Sequence, residues 1–189
     1  MLSPFQKTIL KEVSFKGIGL HSGLKTEIKL LPAVENHGIV FKRTDLDKNN
    51  LIKANFENVS SAQLCTTLQN KFNVTVSTVE HLLAALYITG IDNALVEVSN
   101  LEVPIMDGSS KDFVETILST GVKNQNAKRK YLKITKKLKL KESEKTISIE
   151  PDAEGLKVDF QLIYSNDVIG TQSNQINFSD ADLKNVYTS

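Results

Sequence analysis

Glu80 is followed directly by His81 in the stretch VSTVEHLLAALYITGIDNALVEV, residues 76–98, where an acid and an imidazole open an otherwise apolar run. A histidine nitrogen ligates zinc, and a carboxylate beside it can take a proton from water, so the pair has the makings of metal-assisted hydrolysis. An architectural reading competes with that one. Ser77-Thr78-Val79-Glu80 fits S-x-x-E, a capping box in which Glu80 bonds back to the Ser77 amide. A lone histidine on a buried helix can equally be a core residue with ordinary hydrogen bonds. Spacing alone does not choose between them.

On either reading a helix must carry the pair. Val79, Leu82, Leu83, Leu86 and Tyr87 recur at the i, i+3, i+4, i+7, i+8 spacing of an amphipathic helix ending near Gly90. This wheel turns Val79, Leu83, Leu86 and Tyr87 one way and His81, Ala84 and Ala85 the other, a small face that a backbone or ligand can approach closely. Extended runs at 8–15, 24–31, 39–43, 63–68 and 73–76, punctuated by Pro32, residues 36–38 and 47–50, precede it. Residues 94–98 return to a strand and 104–108 turn. Ser109 or Ser110 then caps a second helix marked by Phe113, Val114, Ile117 and Leu118 and stopped by Gly121.

The polar residues 123–130 mark a boundary, after which strand-like runs resume at 131–135, 138–141, 146–150 and 156–163. Ser179 with Asp182 predicts one more helix, bearing Leu183 and Val186. The expected fold is therefore α+β in two similar domains. Residues 1–125 carry the S-T-V-E-H motif, and 126–189 begin a second domain that stops incomplete, because the first half follows its strands with two helices.

Composition removes several classes of function. Lys and Arg total 23 against 22 Asp and Glu, so a net charge of +1 provides no general field for nucleic acid. The basic run at 128–141 reads as the exposed face and edge of a strand pair, with nearby acids diluting its field. The single cysteine, Cys65, forms no internal disulfide and reads as a small apolar residue. With no signal segment and no uninterrupted apolar span, the expectation is a cytoplasmic protein with at most peripheral membrane contact.

The stretches STVEHLLAALYITGIDNALVEV and NLEVPIMDGSSKDFV, with GIGLHSG, FKRTDL and LCTTL before them, resemble the family of UDP-3-O-acyl-N-acetylglucosamine deacetylases, zinc amidases of lipid A synthesis. The likeness covers nearly the whole chain. It implies that His81 is a zinc ligand and Glu80 the general base, acting on the 2-acetamido group of UDP-3-O-acyl-N-acetylglucosamine. It also implies two sheet-plus-two-helix domains, a layered sandwich of the ribosomal protein S5 domain 2-like kind, and places His21 near the cleft as a substrate-binding residue. The family's remaining ligands come from a later H-K-x-x-D helix and its general acid from a further histidine. The histidines here are His21, His37 and His81 alone.

Catalytic zinc takes three protein ligands and an open position, so the expectation is a truncated chain, inactive by itself and holding zinc weakly or not at all. An alternative is a catalytically dead remnant or a substrate-binding module. Another is a site built from His21, His37 and His81. The glycines of GIGLHSG lack G-x-G-x-x-G spacing, so that segment reads as a strand-to-strand turn needing glycine dihedrals. Gln63 stands where some relatives carry an apolar residue before LCT.

Overall fold

The computed structural model describes residues 3–153 and 155–178. Their architecture is α+β, mostly strands with two α-helices. In chain order the strands begin with β1 Phe5–Ile9, β2 Val13–Ile18, β3 Lys25–Pro32, β4 Ile39–Arg43 and β5 Leu51–Lys53. After a 3-10 turn at Phe56–Asn58 come β6 Val59–Ser61, β7 Thr67–Gln69 and β8 Thr75–Val76. Helix α1 is Glu80–Thr89, β9 is Ala94–Val98, helix α2 is Lys111–Thr120 and β10 is Val122–Lys128. Two hairpins follow, β11 Leu138–Glu142 with β12 Lys145–Ile149, and β13 Lys157–Ile163 with β14 Thr171–Asn177. The chain divides into two compact units between Arg129 and Lys130.

The first unit is built on a five-stranded sheet of order β2-β3-β9-β4-β5. Alternation makes it: Thr26, Ile28 and Leu30 of β3 and Ala94, Val96 and Val98 of β9 are buried, while intervening residues face outward. On the outward face Lys16 pairs with Glu27 and Lys42 with Glu97. Strand β4 runs parallel to β9, in register from Ile39 opposite Ala94 to Arg43 opposite Val98. A parallel pair needs a crossover, and α1 is the helix within it. The core joins the inner sheet residues Phe15, Ile28, Leu30, Phe41 and Val96 to Leu82, Leu86, Phe113 and Ile117 of the helices. Phe15 meets Phe113 edge-on, with centroids 5.0 Å apart. The main axis of support for Glu80 and His81 is thus a helix seated on a sheet.

Several sequence expectations need correction. The run 8–15 contains a break, because β1 leaves to pair with β10 and Leu10 donates its amide to Gly121. Residues 123–128 belong to strand β10, which the polar sequence did not suggest, since pairing with β1 satisfies that backbone without requiring apolar side chains. Of 63–68 only the end is strand, Leu64 having φ 66. Residues 131–135 form no strand, and β14 was not foreseen from its polar sequence TQSNQIN. The helix expected from Ser179 lies outside the described residues.

Burial on α1 covers a different face from the one the apolar spacing implies. Leu82, Ala85, Leu86 and Thr89 are buried at i, i+3, i+4, i+7, whereas Tyr87 is exposed, so the wheel drawn from Val79 is rotated. Val79, the N-cap, is itself buried and its carbonyl accepts the Leu83 amide, so the buried stripe runs from Val79 through Leu82, Ala85 and Leu86 to Thr89 instead of toward Tyr87. At the other end Gly90, at φ 71, takes the left-handed turn while its amide and that of Ile91 reach back to Tyr87 and Leu86. Helix α2 likewise ends at Gly121, with Phe113, Val114 and Ile117 buried. Among the described residues no helix is long and apolar enough to cross a membrane.

Candidate functional site

The entry to α1 differs from a capping box in every bond. The Ser77 amide donates to Leu101 O at 2.9 Å, and its hydroxyl pairs with that of Thr67 at 3.0 Å. Glu80 is the first helical residue, not the third, and its Oε2 accepts the Thr66 amide at 3.0 Å. The β7 segment therefore claims both groups that a capping box would have used. One carboxylate oxygen of Glu80 is held by backbone, and no hydrogen bond to the other is formed by the described residues.

His81 follows on α1, half-buried, with its carbonyl accepting the Ser110 hydroxyl at 2.9 Å. Among the described residues none hydrogen-bonds its ring. Ser110 is the N-cap of α2 yet makes no side-chain cap; Ser109 Oγ instead accepts the Lys111 amide. The S-S pair thus divides the work, one residue ordering the start of α2 and the other tying it to α1.

Backbone strain sits immediately before the pair. Thr78 has φ 57, a left-handed conformation that a β-branched side chain adopts at a cost of about 1–3 kcal/mol. Its hydroxyl donates to Glu102 Oε1 at 2.7 Å. Glu102 is 1% exposed, and the same oxygen accepts the His21 amide at 3.0 Å while Oε2 accepts the Ser22 amide at 2.8 Å. Burial alone raises a carboxyl's pKa, but here it is outweighed by the His21 amide, the Ser22 hydroxyl, the Thr78 hydroxyl and the Ser22 amide, which lower it from 4.5 to about 2. Sequence reasoning passed over Glu102. The available signal was an acid inside the apolar run L-E-V-P-I.

The glycines of GIGLHSG serve two needs rather than one. Only Gly23 has a positive φ, 66. Gly19 provides room, since a Cβ there would collide with Ser22 Oγ and Glu102 Oε2 and come within 2.8 Å of Glu102 Cδ. Gly17 lies against Pro104, where a Cβ would be 2.9 Å from the proline Cβ.

The structure brings the His21 backbone and Thr78 to one carboxylate, while the His21 side chain is exposed. His37 is elsewhere in the sheet connections, its Nδ1 paired with Gly38 O at 3.0 Å. Cys65 is half-buried, with Sγ 3.8 Å from Thr67 Oγ1. Among the described residues no group of three or more His, Cys, Asp or Glu is arranged to hold a metal ion, so His21, His37 and His81 form no common centre. The described residues therefore furnish part of a coordination sphere at most.

Residues 6–187 match the family profile of LpxC, UDP-3-O-acyl N-acetylglycosamine deacetylase. The chain is 44% identical over 162 residues to the UDP-3-O-acyl-N-acetylglucosamine deacetylase of Shewanella frigidimarina, covering 86% of this chain and 53% of that protein. It is 42% identical over 176 residues to the protein of that name from Idiomarina loihiensis, covering 92% and 57%. A third, from Actinobacillus pleuropneumoniae, is 41% identical over 164 residues, covering 87% and 54%. The chain spans about half the length of the curated relatives it matches.

Proposed function

Since the chain belongs to the family of UDP-3-O-acyl N-acetylglycosamine deacetylases, we propose that it forms part of a zinc amidohydrolase of lipid A synthesis, bearing the general base Glu80 and one metal ligand, His81. The substrate is UDP-3-O-acyl-N-acetylglucosamine, and the reaction is hydrolysis of its 2-acetamido group. Water adds its oxygen to the acetyl carbon, the C–N bond breaks, and acetate and a free amine result. Zinc, when bound, polarises the amide carbonyl and makes water more acidic. Glu80 takes the water's proton; the Thr66 amide fixes one of its oxygens and leaves the other to act.

The observation that carries this reading is the pairing of a half-fixed Glu80 with a His81 ring that no described residue engages, both at the start of one anchored helix. The described residues do not complete a metal site, and on this reading the other ligands come from residues outside them. The same proposal covers a contact of His21 with substrate, location in the cytoplasm, and two sheet-plus-two-helix domains in an S5-like sandwich, with limits near 1–125 and 126–189.

Acetate release by the full-length gene product tests it. Glu80→Gln should lower kcat by about 10²–10⁴-fold with zinc content unchanged, and His81→Ala should lower zinc content itself. The 189 residues alone should release no acetate, because the described residues supply one proposed ligand, His81, and no metal-holding group. Undiminished turnover in Glu80→Gln, or zinc-dependent acetate release from the 189 residues alone, overturns the assignment; binding of substrate without turnover in the full-length protein indicates a binding module.

A further inference from the structure

We propose that Glu102 is a positioning residue of this site, a buried carboxylate that locks the β2–β3 turn bearing His21 to the backbone hinge at Thr78, and so sets where Glu80 and His81 stand. The inference rests on the deacetylase reading. Its basis is geometric. Oε1 takes one donor from each segment, the His21 amide and the Thr78 hydroxyl, so the two segments share a single atom. Oε2 holds the turn a second time through the Ser22 amide.

Among the described residues no lysine or arginine pairs with this charge: its partners are all neutral donors, and a buried anion satisfied that way constrains every group that supplies a dipole. The backbone of Glu102 is also fixed. It forms a parallel bridge with Ser77, whose amide and carbonyl bond Leu101 and Val103. The carboxylate is therefore a rigid reference from which Thr78 is held in its left-handed conformation. Two residues beyond Thr78 the helix begins at Glu80. Releasing the Thr78 hydroxyl frees the hinge, and a small rotation there is carried into the catalytic pair.

The two arms predict different kinetics. Thr78→Val keeps the shape but removes the hydroxyl, and should lower kcat about tenfold or more with KM little changed. Thr78→Ser keeps the hydroxyl and should retain most of kcat. Ser22→Ala leaves the Ser22 amide bond in place but removes the hydroxyl that accepts the Leu24 amide and supports the carboxylate, and by loosening the turn should raise KM. Glu102→Gln, whose amide offers one acceptor and turns an NH2 toward N–H donors, should do both and speed amide exchange at His21 and Ser22 at least tenfold.

These measurements use the full-length protein with zinc content recorded alongside. Wild-type kcat and KM in a folded Glu102→Gln protein overturn the proposal, as do equal effects of Thr78→Ser and Thr78→Val. If Glu102→Gln does not fold, the Thr78 pair decides. If the wild-type protein releases no acetate, the deacetylase reading fails and the positioning role falls with it, while exchange at His21 and Ser22 still shows whether the clasp exists.

Discussion

Acidification should loosen the first unit at one identifiable point. Glu102 has its folded pKa lowered from 4.5 to about 2, so the unfolded chain binds more protons between those values and the folded form loses its advantage as pH falls. The contribution is fully present above about pH 4.5 and is drawn down toward pH 2. At 1.36 kcal/mol per pKa unit it amounts to about 3 kcal/mol in full, of which about 1.4 kcal/mol should be gone by pH 3.5. Comparing the protein with Glu102→Gln isolates this group. Asp45, held low chiefly by its hydrogen bond from Arg43, and Asp107, held low by the Ser109 hydroxyl, titrate equally in both proteins and cancel. The assay is the urea midpoint of both proteins at pH 7 and pH 3.5, with the Glu102 carboxyl carbon followed by NMR. The stability gap should shrink by about 1.4 kcal/mol. A gap that stays constant, or a carboxyl that titrates between pH 4 and 5, refutes the claim that neutral donors hold this charge.

Gly19→Ala should destabilise by about 1.5–3 kcal/mol, because Ser22 can rotate away from the new methyl but Glu102 cannot without giving up a charge-assisted bond. A midpoint within error of wild type in urea unfolding would show that the turn relaxes freely. Asp92→Ala should cost about 2–3 kcal/mol, since Asp92 accepts the Lys7 amide at 2.8 Å and Arg129 Nε and Nη2 at 2.7 and 2.6 Å. Arg129 Nη2 also bonds Gly90 O, so the loss should be accompanied by faster amide exchange at Gly90 and Ile91; unchanged exchange there would count against the clasp.

The elements legible in the sequence were those whose apolar spacing had one possible meaning. Helix α2, the core of α1, and strands β4 and β9 are set by burial against a single sheet face, and their patterns show it. Strands β10 and β14 were opaque because a two-stranded ribbon satisfies its backbone with polar side chains on both faces, leaving no alternation to read. The Glu80-His81 pair stood out as an acid and an imidazole opening an apolar run, but local rules misread its surroundings. S-x-x-E is a capping box only when its amide and side chains are unclaimed, and here Leu101 O accepts the Ser77 amide while the β7 segment engages the Ser77 hydroxyl and the Glu80 carboxylate from distant sequence. Glu102 was hidden for a related reason: one acid among 22 acquires a role only when a turn 80 residues earlier folds onto it.

The left-handed Thr78 also bears on protein engineering. Its conformation is not a property of the five letters S-T-V-E-H, because the bond that holds it comes from a residue 24 positions away. Transplanting those five residues onto another scaffold would carry the Glu80 and His81 side chains but let the backbone relax to an ordinary turn. The smallest portable unit is three pieces: the motif, the Leu101-Glu102-Val103 bridge beside it, and the Gly19 to Ser22 turn that leaves room for the carboxylate.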